Sequence, residues 1–319
     1  MSKVTIVTLT YNREKLLPRA VESVLSQTFT DFDYKIVNNG STDGTQDVID
    51  RYCKIDNRIS FVKNALNTKI YPKAESTTRE HEETWTPNSP YFMRIDDDDF
   101  MEPTTIETLY RLITEYDADI ASVGSKYVYP DGTIKDKFVF EGTHVFSRTE
   151  AMIEMLKREK FNTSSGGKLF SRKTTGIMIP GVEVIRDIHC GYRRMNNIER
   201  MVATGEPLFY FYRHGNNLSG LDTAEQITPK KMRQHLEANA IRTRWLTEHM
   251  PEIKDFVFYC ELSFMVSLYE RIYRLDIQSC FEIAQNMKDT LMQNSRFLWK
   301  CNFCTKREKE ILKSMQIET

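Results

Sequence analysis

The sequence has no long apolar run. No uncharged stretch in its 319 residues approaches the roughly 18–20 that a membrane span needs. It has no charge imbalance either. Lys and Arg total 44 and Asp and Glu 45, a net charge of −1, which argues against a dedicated nucleic-acid binder. Cysteine is sparse. Six are scattered at 53, 190, 260, 280, 301 and 304, with no disulfide framework, and reduced thiols are the default reading. Cys301-x-x-Cys304 has no second pair to complete a metal site. With 13 glycines and 10 prolines the chain is neither fibrous nor of low complexity. A leader is not expected at the start: the β-rich run from Val4 gives way at once to polar Tyr11–Lys15, so a cytoplasmic location is expected.

What is present is a soluble composition with 18 Phe, 15 Tyr and 3 Trp, enough for a sizeable core. Val4–Leu9 predicts a strand. Leu17, Ala20, Val21, Val24 and Leu25 predict a helix over Arg13–Gln27, with Pro18 tolerated in its first turn. Strands are predicted at Tyr34–Val37, Ile59–Lys63, Tyr91–Ile95 and Ile120–Val123, and helices at Thr45–Tyr52 and Pro103–Tyr116. This alternation implies an α/β class with a mainly parallel sheet flanked by helices. Ligands then bind outside the carboxyl ends of the strands. Two polar loops lie there, Asn38–Gly44 and Asp96–Phe100.

From Lys126 the pattern changes. Pro130-Asp131-Gly132 predicts a hairpin turn, and Ser147-Arg148-Thr149-Glu150 a capping box opening a helix to about Arg158. Lys168–Phe170 follows a Gly166-Gly167 turn, and Pro207–Tyr212 predicts a last strand. Beyond Leu221 only helices are predicted, at Thr228–His249, Glu252–Tyr273, Ile277–Gln293 and Lys306–Met315. The expected organisation is a domain over 1–220, with halves 1–125 and 126–220, and a helical domain over 221–319.

Asp96-Asp97-Asp98-Asp99 directly follows an apolar strand. Four adjacent carboxylates repel one another, so the cluster reads either as a solvated loop or as a cation site. Mg²⁺ and Mn²⁺ take carboxylate oxygens and commonly bridge to substrate phosphates. In an extended segment Asp96 and Asp98 would point the same way.

The run Val4–Asn12, the Ser26-Gln27-Thr28 helix end, Asn38–Thr45 and Asp96-x-Asp98-Asp99 occur in this order over about 100 residues. Together they resemble family 2 glycosyltransferases of the GT-A fold. Lys168–Phe170, Arg186-Asp187 and Tyr210–His214 followed by Asn216–Ser219 are similar to the family's acceptor-side half. The resemblance covers about residues 1–220. It implies a nucleotide-diphosphate sugar donor, UDP-sugar foremost, and a glycan or lipid-linked acceptor in surface polysaccharide synthesis. It places Thr10, Tyr11 and Asn12 at the nucleotide, with Asn39, Ser41 and Asp43 on the second loop. Asp96, Asp97 and Asp99 then meet the donor, Asp98 is the main ligand of Mn²⁺ or Mg²⁺ with Asp96 and His214 beside it, and Arg213 faces the diphosphate. Asp187 takes the place of the general base of inverting members, against the plainer reading that it caps its helix. Asp43 equally serves to stabilise its own turn.

This chain departs from the family pattern in four places. Asn39 stands where an Asp is usual, so an uncharged amide faces the base. Leu9 replaces a Pro, and Arg186 a Glu. The Gly-rich helix expected before the acidic motif gives way to polar Lys69–Pro90, which carries Lys73 and Arg79. Residues 296–313 carry six basic and two acidic residues among Phe297, Leu298, Trp299 and Phe303. That pattern fits peripheral contact at the inner membrane face, or packing on the body or on a second copy in a homodimer. Against the transferase stand two other readings: an inactive nucleotide-binding relative and an acidic, cation-binding interaction module.

Overall fold

The structure is a computed structural model that describes residues 1–65, 89–174, 186–214, 221 and 223–317. The segment around Lys73 and Arg79, and Asn216–Ser219, lie outside the described residues. The chain divides into two compact units: Met1–Glu183 with Arg193–Gly215, and Val184–Tyr192 with Asn216–Thr319.

The first unit begins β1 (Val4–Thr10), α1 (Leu17–Leu25), β2 (Phe32–Asn38), α2 (Thr45–Ile55), β3 (Ile59–Lys63), β4 (Tyr91–Arg94). β1 is buried along almost its whole length, because it pairs in parallel with β2 on one side and β4 on the other. Helices cover both faces of such a strand, so its sequence is apolar without alternation. α1 buries Leu17, Ala20, Val21 and Val24, one stripe at helical spacing. It starts four residues later than the periodicity predicts, because Asn12 takes a left-handed conformation (φ 53°) and Arg13 begins a turn in which Leu16 and Leu17 N–H donate to its carbonyl.

The chain continues with β5 (Phe100–Met101), α3 (Thr105–Glu115), β6 (Ile120–Val128), β7 (Ile134–Phe138), β8 (Thr143–Ser147), α4 (Arg148–Lys157), β9 (Lys168–Ser171), α5 (Arg186–Asn196), whose residues as far as Tyr192 count with the second unit, and β10 (Arg200–Tyr212). The sheet order is β3-β2-β1-β4-β9-β6-β10-β5, with β7 on β6 and β8 on β10. The expectation of a mainly parallel sheet needs refinement. Pairing is parallel from β3 to β4 and between β6 and β10, and antiparallel elsewhere. Parallel neighbours need crossover helices. Those occur in the first part of the chain, whereas β9 inserts antiparallel between β4 and β6.

The capping box is present: Ser147 Oγ accepts from Glu150 N–H, and Glu150 Oε2 accepts from Ser147 N–H at 2.9 Å. β10 is far longer than Pro207–Tyr212. It runs through an irregularity between Ala203 and Phe209, where Pro207 has no N–H to give the ladder. There Gly124 and Gly205 bring two backbones together; a Cβ on Gly124 would lie 2.3 Å from the Gly205 carbonyl oxygen.

The second unit carries α6 (Pro229–His249), α7 (Lys254–Arg274), α8 (Phe281–Gln293), α9 (Ser295–Lys300) and α10 (Lys306–Ser314). Its core joins Met232, Leu268, Ile272, Ile283, Ala284 and Met287. The basic α10 turns Leu312 into this unit and sets Glu308 against Tyr259 and Ser263 of α7. Among the described residues no helix is long and apolar enough to cross a membrane.

Candidate active site

The carboxyl ends of β1 and β2 carry two loops that are laced together. Asn39 N–H donates to the Thr10 carbonyl at 2.8 Å. The left-handed Asn12 then reaches across: its N–H donates to Ser41 Oγ at 3.0 Å, and its Oδ1 accepts from Thr42 N–H at 2.8 Å. Arg13 N–H donates to Thr45 Oγ1 at 2.8 Å, and Glu14 N–H to Asp43 Oδ2 at 3.2 Å. Asp43 also accepts from Thr45, so it organises the loop that opens α2. Burial alone would raise its carboxyl, but the bonds from Thr45 and Glu14 hold it below the ordinary carboxylate value. Asn38 Oδ1 accepts from Ser41 N–H, and Asn39 Oδ1 from Asn64 Nδ2 at 3.0 Å. Thr10 and Asn39 are buried, while Tyr11 is 38% exposed at the edge.

β4 ends against these loops, because it pairs with β1. The four aspartates that follow are not extended. They form a turn closed by Asp99 N–H donating to the Asp96 carbonyl at 3.2 Å. The shared direction expected for Asp96 and Asp98 in an extended strand therefore gives way to four separate environments. Asp97 lies 3.5 Å from Arg13 Nε. Burial pushes its carboxyl up to about 7, with the Thr10 hydroxyl and Arg13 pulling it back. Asp98 Oδ2 is 2.9 Å from His214 Nε2. Asp99 is 4% exposed and accepts from Tyr212 N–H at 3.0 Å. Burial, then Asp96 and Asp98, raise its carboxyl well above the usual range. The pairing of β5 with β10, Phe100 opposite Tyr210, is what brings residues 212–214 to the turn.

Two cations that the sequence reading passed over belong here. Arg19 Nη2 donates to the Asp98 carbonyl at 2.7 Å. Its guanidinium carbon lies 4.5 Å from the Phe100 ring centre and 4.2 Å from that of Tyr212. Lys137 stands on the β10 side, its ammonium 3.3 Å from the Phe211 ring centre. Arg19 lies within a helix and Lys137 within a strand, and no spacing in the sequence marks either.

The structure thus brings together Thr10, Asn12, Asn39, Ser41 and Asp43 at the first two strand ends, with Asp96–Asp99 and His214 beside them. Arg213 lies over the Tyr127 ring at 4.9 Å. Of the three expected metal ligands, Asp98 and His214 are in contact; among the described residues no group of three His, Cys, Asp or Glu side chains is arranged to hold an ion. Asp187 is the second residue of α5, and its side chain lies outside the described residues.

Residues 5–175, more than half of the chain, match the family model described as glycosyl transferase family 2. The chain belongs to that family. GlyA of Streptococcus pneumoniae, a glycosyltransferase, is 30% identical over 134 residues, 40% of this chain and 17% of that protein. GlyG of the same organism, also a glycosyltransferase, is 27% identical over 166 residues, 51% of this chain and 53% of that one. This family 2 chain therefore spans about half or less of the length of these relatives. TarS of S. aureus, residues 1–349 solved in complex with UDP-GlcNAc, superposes with a TM-score of 0.63 at 14% identity, covering 97% of this chain and 83% of that one. The fold is that of GT-A glycosyltransferases, with a helical C-terminal region.

Proposed function

We propose that this family 2 protein transfers a sugar from a nucleoside-diphosphate donor, with UDP-sugar foremost, to a hydroxyl of a glycan or lipid-linked acceptor in surface polysaccharide synthesis. The observation that carries the reading is the acidic turn of β4, with Asp98 against His214, placed beside the Thr10 and Asn39 strand ends. TarS, with the same fold, was solved with UDP-GlcNAc.

The donor chemistry of the turn fits a divalent cation. A carboxylate and an imidazole supply two protein ligands, and such ions commonly complete their shell with water and substrate phosphates. Asp98 and His214 would hold it, with Asp96 next to them; when bound it neutralises the charge that builds on the departing diphosphate. The protein's own groups do the rest. Thr10, Asn39 and the Asn12–Ser41 lacing form the floor for the base, and the amide of Asn39 offers both a donor and an acceptor. Arg19 holds the Asp98 carbonyl and so fixes the turn. Asp187 takes the proton of the attacking hydroxyl as the new bond forms on the face opposite the leaving diphosphate. That is general-base catalysis, worth about 10²–10⁴-fold, and it inverts the anomeric centre.

Calorimetric titration with UDP, GDP, CDP and dTDP, with and without Mn²⁺, tests the reading. One diphosphate is expected to bind in a metal-dependent way, and Asp98→Ala to weaken it at least about 100-fold, the loss of a charged ligand of about 3 kcal/mol. NMR of the product's anomeric centre then reads inversion. Cation binding without any nucleotide would point instead to the interaction-module reading. Tight nucleotide binding with no turnover over any acceptor would mark an inactive relative.

A further inference from the structure

The acidic turn runs straight into β5, a strand of two residues. Phe100 lies opposite Tyr210 and Met101 opposite Phe209 on β10. So short a ladder does little to fix its own register, yet the register decides the site. Asp98 precedes Phe100 by two residues, and His214 follows Tyr210 by four. The pairing sets Asp98 Oδ2 2.9 Å from His214 Nε2. A slip of one residue would carry Asp98 about 3.3 Å along β10 and turn Phe100 to the other face. The contact with His214 would be lost.

Side chains supply what the ladder lacks, and they converge on Glu102. Its N–H donates to the Leu208 carbonyl at 2.9 Å. Its carboxylate accepts from Tyr210 Oη at 2.7 Å, while the Tyr210 ring stacks on that of Phe100, centres 4.8 Å apart and planes at 7°. Its carbonyl accepts from Gln27 Nε2 at 2.7 Å. Gln27 is 4% exposed, and its Oε1 accepts the Ile106 N–H at 3.0 Å. That N–H lies in the first turn of α3, where the helix offers no partner of its own. Thr28 N–H adds a bond to the Pro103 carbonyl at 2.9 Å. The Gln27-Thr28 pair, a motif in the sequence with no assigned role, thus clasps the chain just after the acidic turn. We propose that Gln27 and Tyr210 are positioning residues: through Glu102 they lock β5 in register and so set Asp98 against His214. The inference rests on the transferase reading of that pair and adds the residues that place it.

The test uses the full chain and two measurements. Amide exchange followed by NMR, without ligand, reads the lock itself. Tyr210→Phe keeps the ring and removes the hydroxyl. The Glu102 and Tyr212 N–H groups, which bond to Leu208 and Asp99, should then exchange about 10-fold faster. Calorimetry with UDP, or with whichever of GDP, CDP and dTDP wild type binds, reads the consequence. In Tyr210→Phe the Mn²⁺ concentration that half-saturates nucleotide binding should rise about 10-fold, with nucleotide affinity at saturating Mn²⁺ unchanged. Gln27→Met should move both readings the same way. Glu102→Gln, whose amide oxygen can still accept from Tyr210, should stay within a few-fold of wild type, and Glu102→Leu should match Tyr210→Phe. Tyr210→Phe combined with Glu102→Leu should lose no more than either alone, since both remove one bond. Ile113→Val trims the same core away from the clasp and should leave the Mn²⁺ requirement unchanged. Equal exchange at 102 and 212 in Tyr210→Phe, or an unchanged Mn²⁺ requirement, overturns the lock. So does a matching shift in Ile113→Val, which would mark a general loss of stability. Absence of nucleotide binding by wild type, or binding indifferent to Mn²⁺, would sink the reading of the Asp98–His214 pair instead, and the ligand-free exchange then decides the lock by itself.

Discussion

Arg19 ties the acidic turn to the first helix, between the rings of Phe100 and Tyr212. Burial lowers its guanidinium's proton affinity, and Tyr212, Asp99 and Asp98 restore part of it. Its tie to the Asp98 carbonyl spans 79 residues of sequence. Arg19→Met would keep the stem between the rings and remove the donor. A charged hydrogen bond is worth about 1.5–3 kcal/mol, so donor binding is expected to weaken about 10-fold or more, with the fold intact by circular dichroism. Unchanged donor affinity would mean that Tyr212 N–H on Asp99 holds the turn unaided. The four aspartates were legible in the sequence as a chemical centre, because unscreened like charges at a strand end have few other uses. Their separate partners were not, because Arg13, Arg19, Tyr212 and His214 come from segments far apart along the chain.

The strands and helices that pattern predicts are largely those observed, and the misses share a cause. The length of β10 was hidden by Gly205-Glu206-Pro207, which reads as a turn but is an irregularity within a continuing strand. β8, whose exposed and half-buried residues alternate along an edge, carries too little apolar signal to predict. Gly124 tests the register that results. With a Cβ on it 2.3 Å from a backbone oxygen that cannot swing away, Gly124→Ala should destabilise by about 3 kcal/mol or more, the upper end for overpacking. Urea denaturation would read this as a lower midpoint at unchanged slope. A variant as stable as wild type would show that β6 and β10 separate at no cost there.

The two units differ in what holds them. The first is built on a sheet whose core runs through β1, β2, β4 and α1. The second is helical, and its last helix is fixed by Glu308. That carboxylate accepts from Tyr259 Oη at 2.8 Å and from Ser263 and the Thr305 cap. Burial alone would raise it, yet these bonds hold it below the ordinary carboxylate value. A folded-state value below the unfolded one gives stability that is present above the unfolded value, about 4.3, and is lost as pH falls through the folded one. Glu308→Gln should therefore lower stability by about 1 kcal/mol at pH 7, the half-exposed position limiting the gain. The difference should shrink as pH falls below the unfolded value of about 4.3 and on through the lower folded one. Urea midpoints over that range check it, and a pH-independent gap would mean that Glu308 acts by packing rather than charge.

The sequence by itself determined the α/β alternation, the strand-end motifs and the family, because each is a local pattern: apolar period, turn chemistry and a run of carboxylates that needs only its neighbours to be recognised. Tertiary structure alone decided which partner each aspartate meets, where β9 inserts and which cations gather on the rings of Tyr127 and Phe211. Those depend on strands distant in sequence lying side by side, and no period within one segment records which other segment will pack against it.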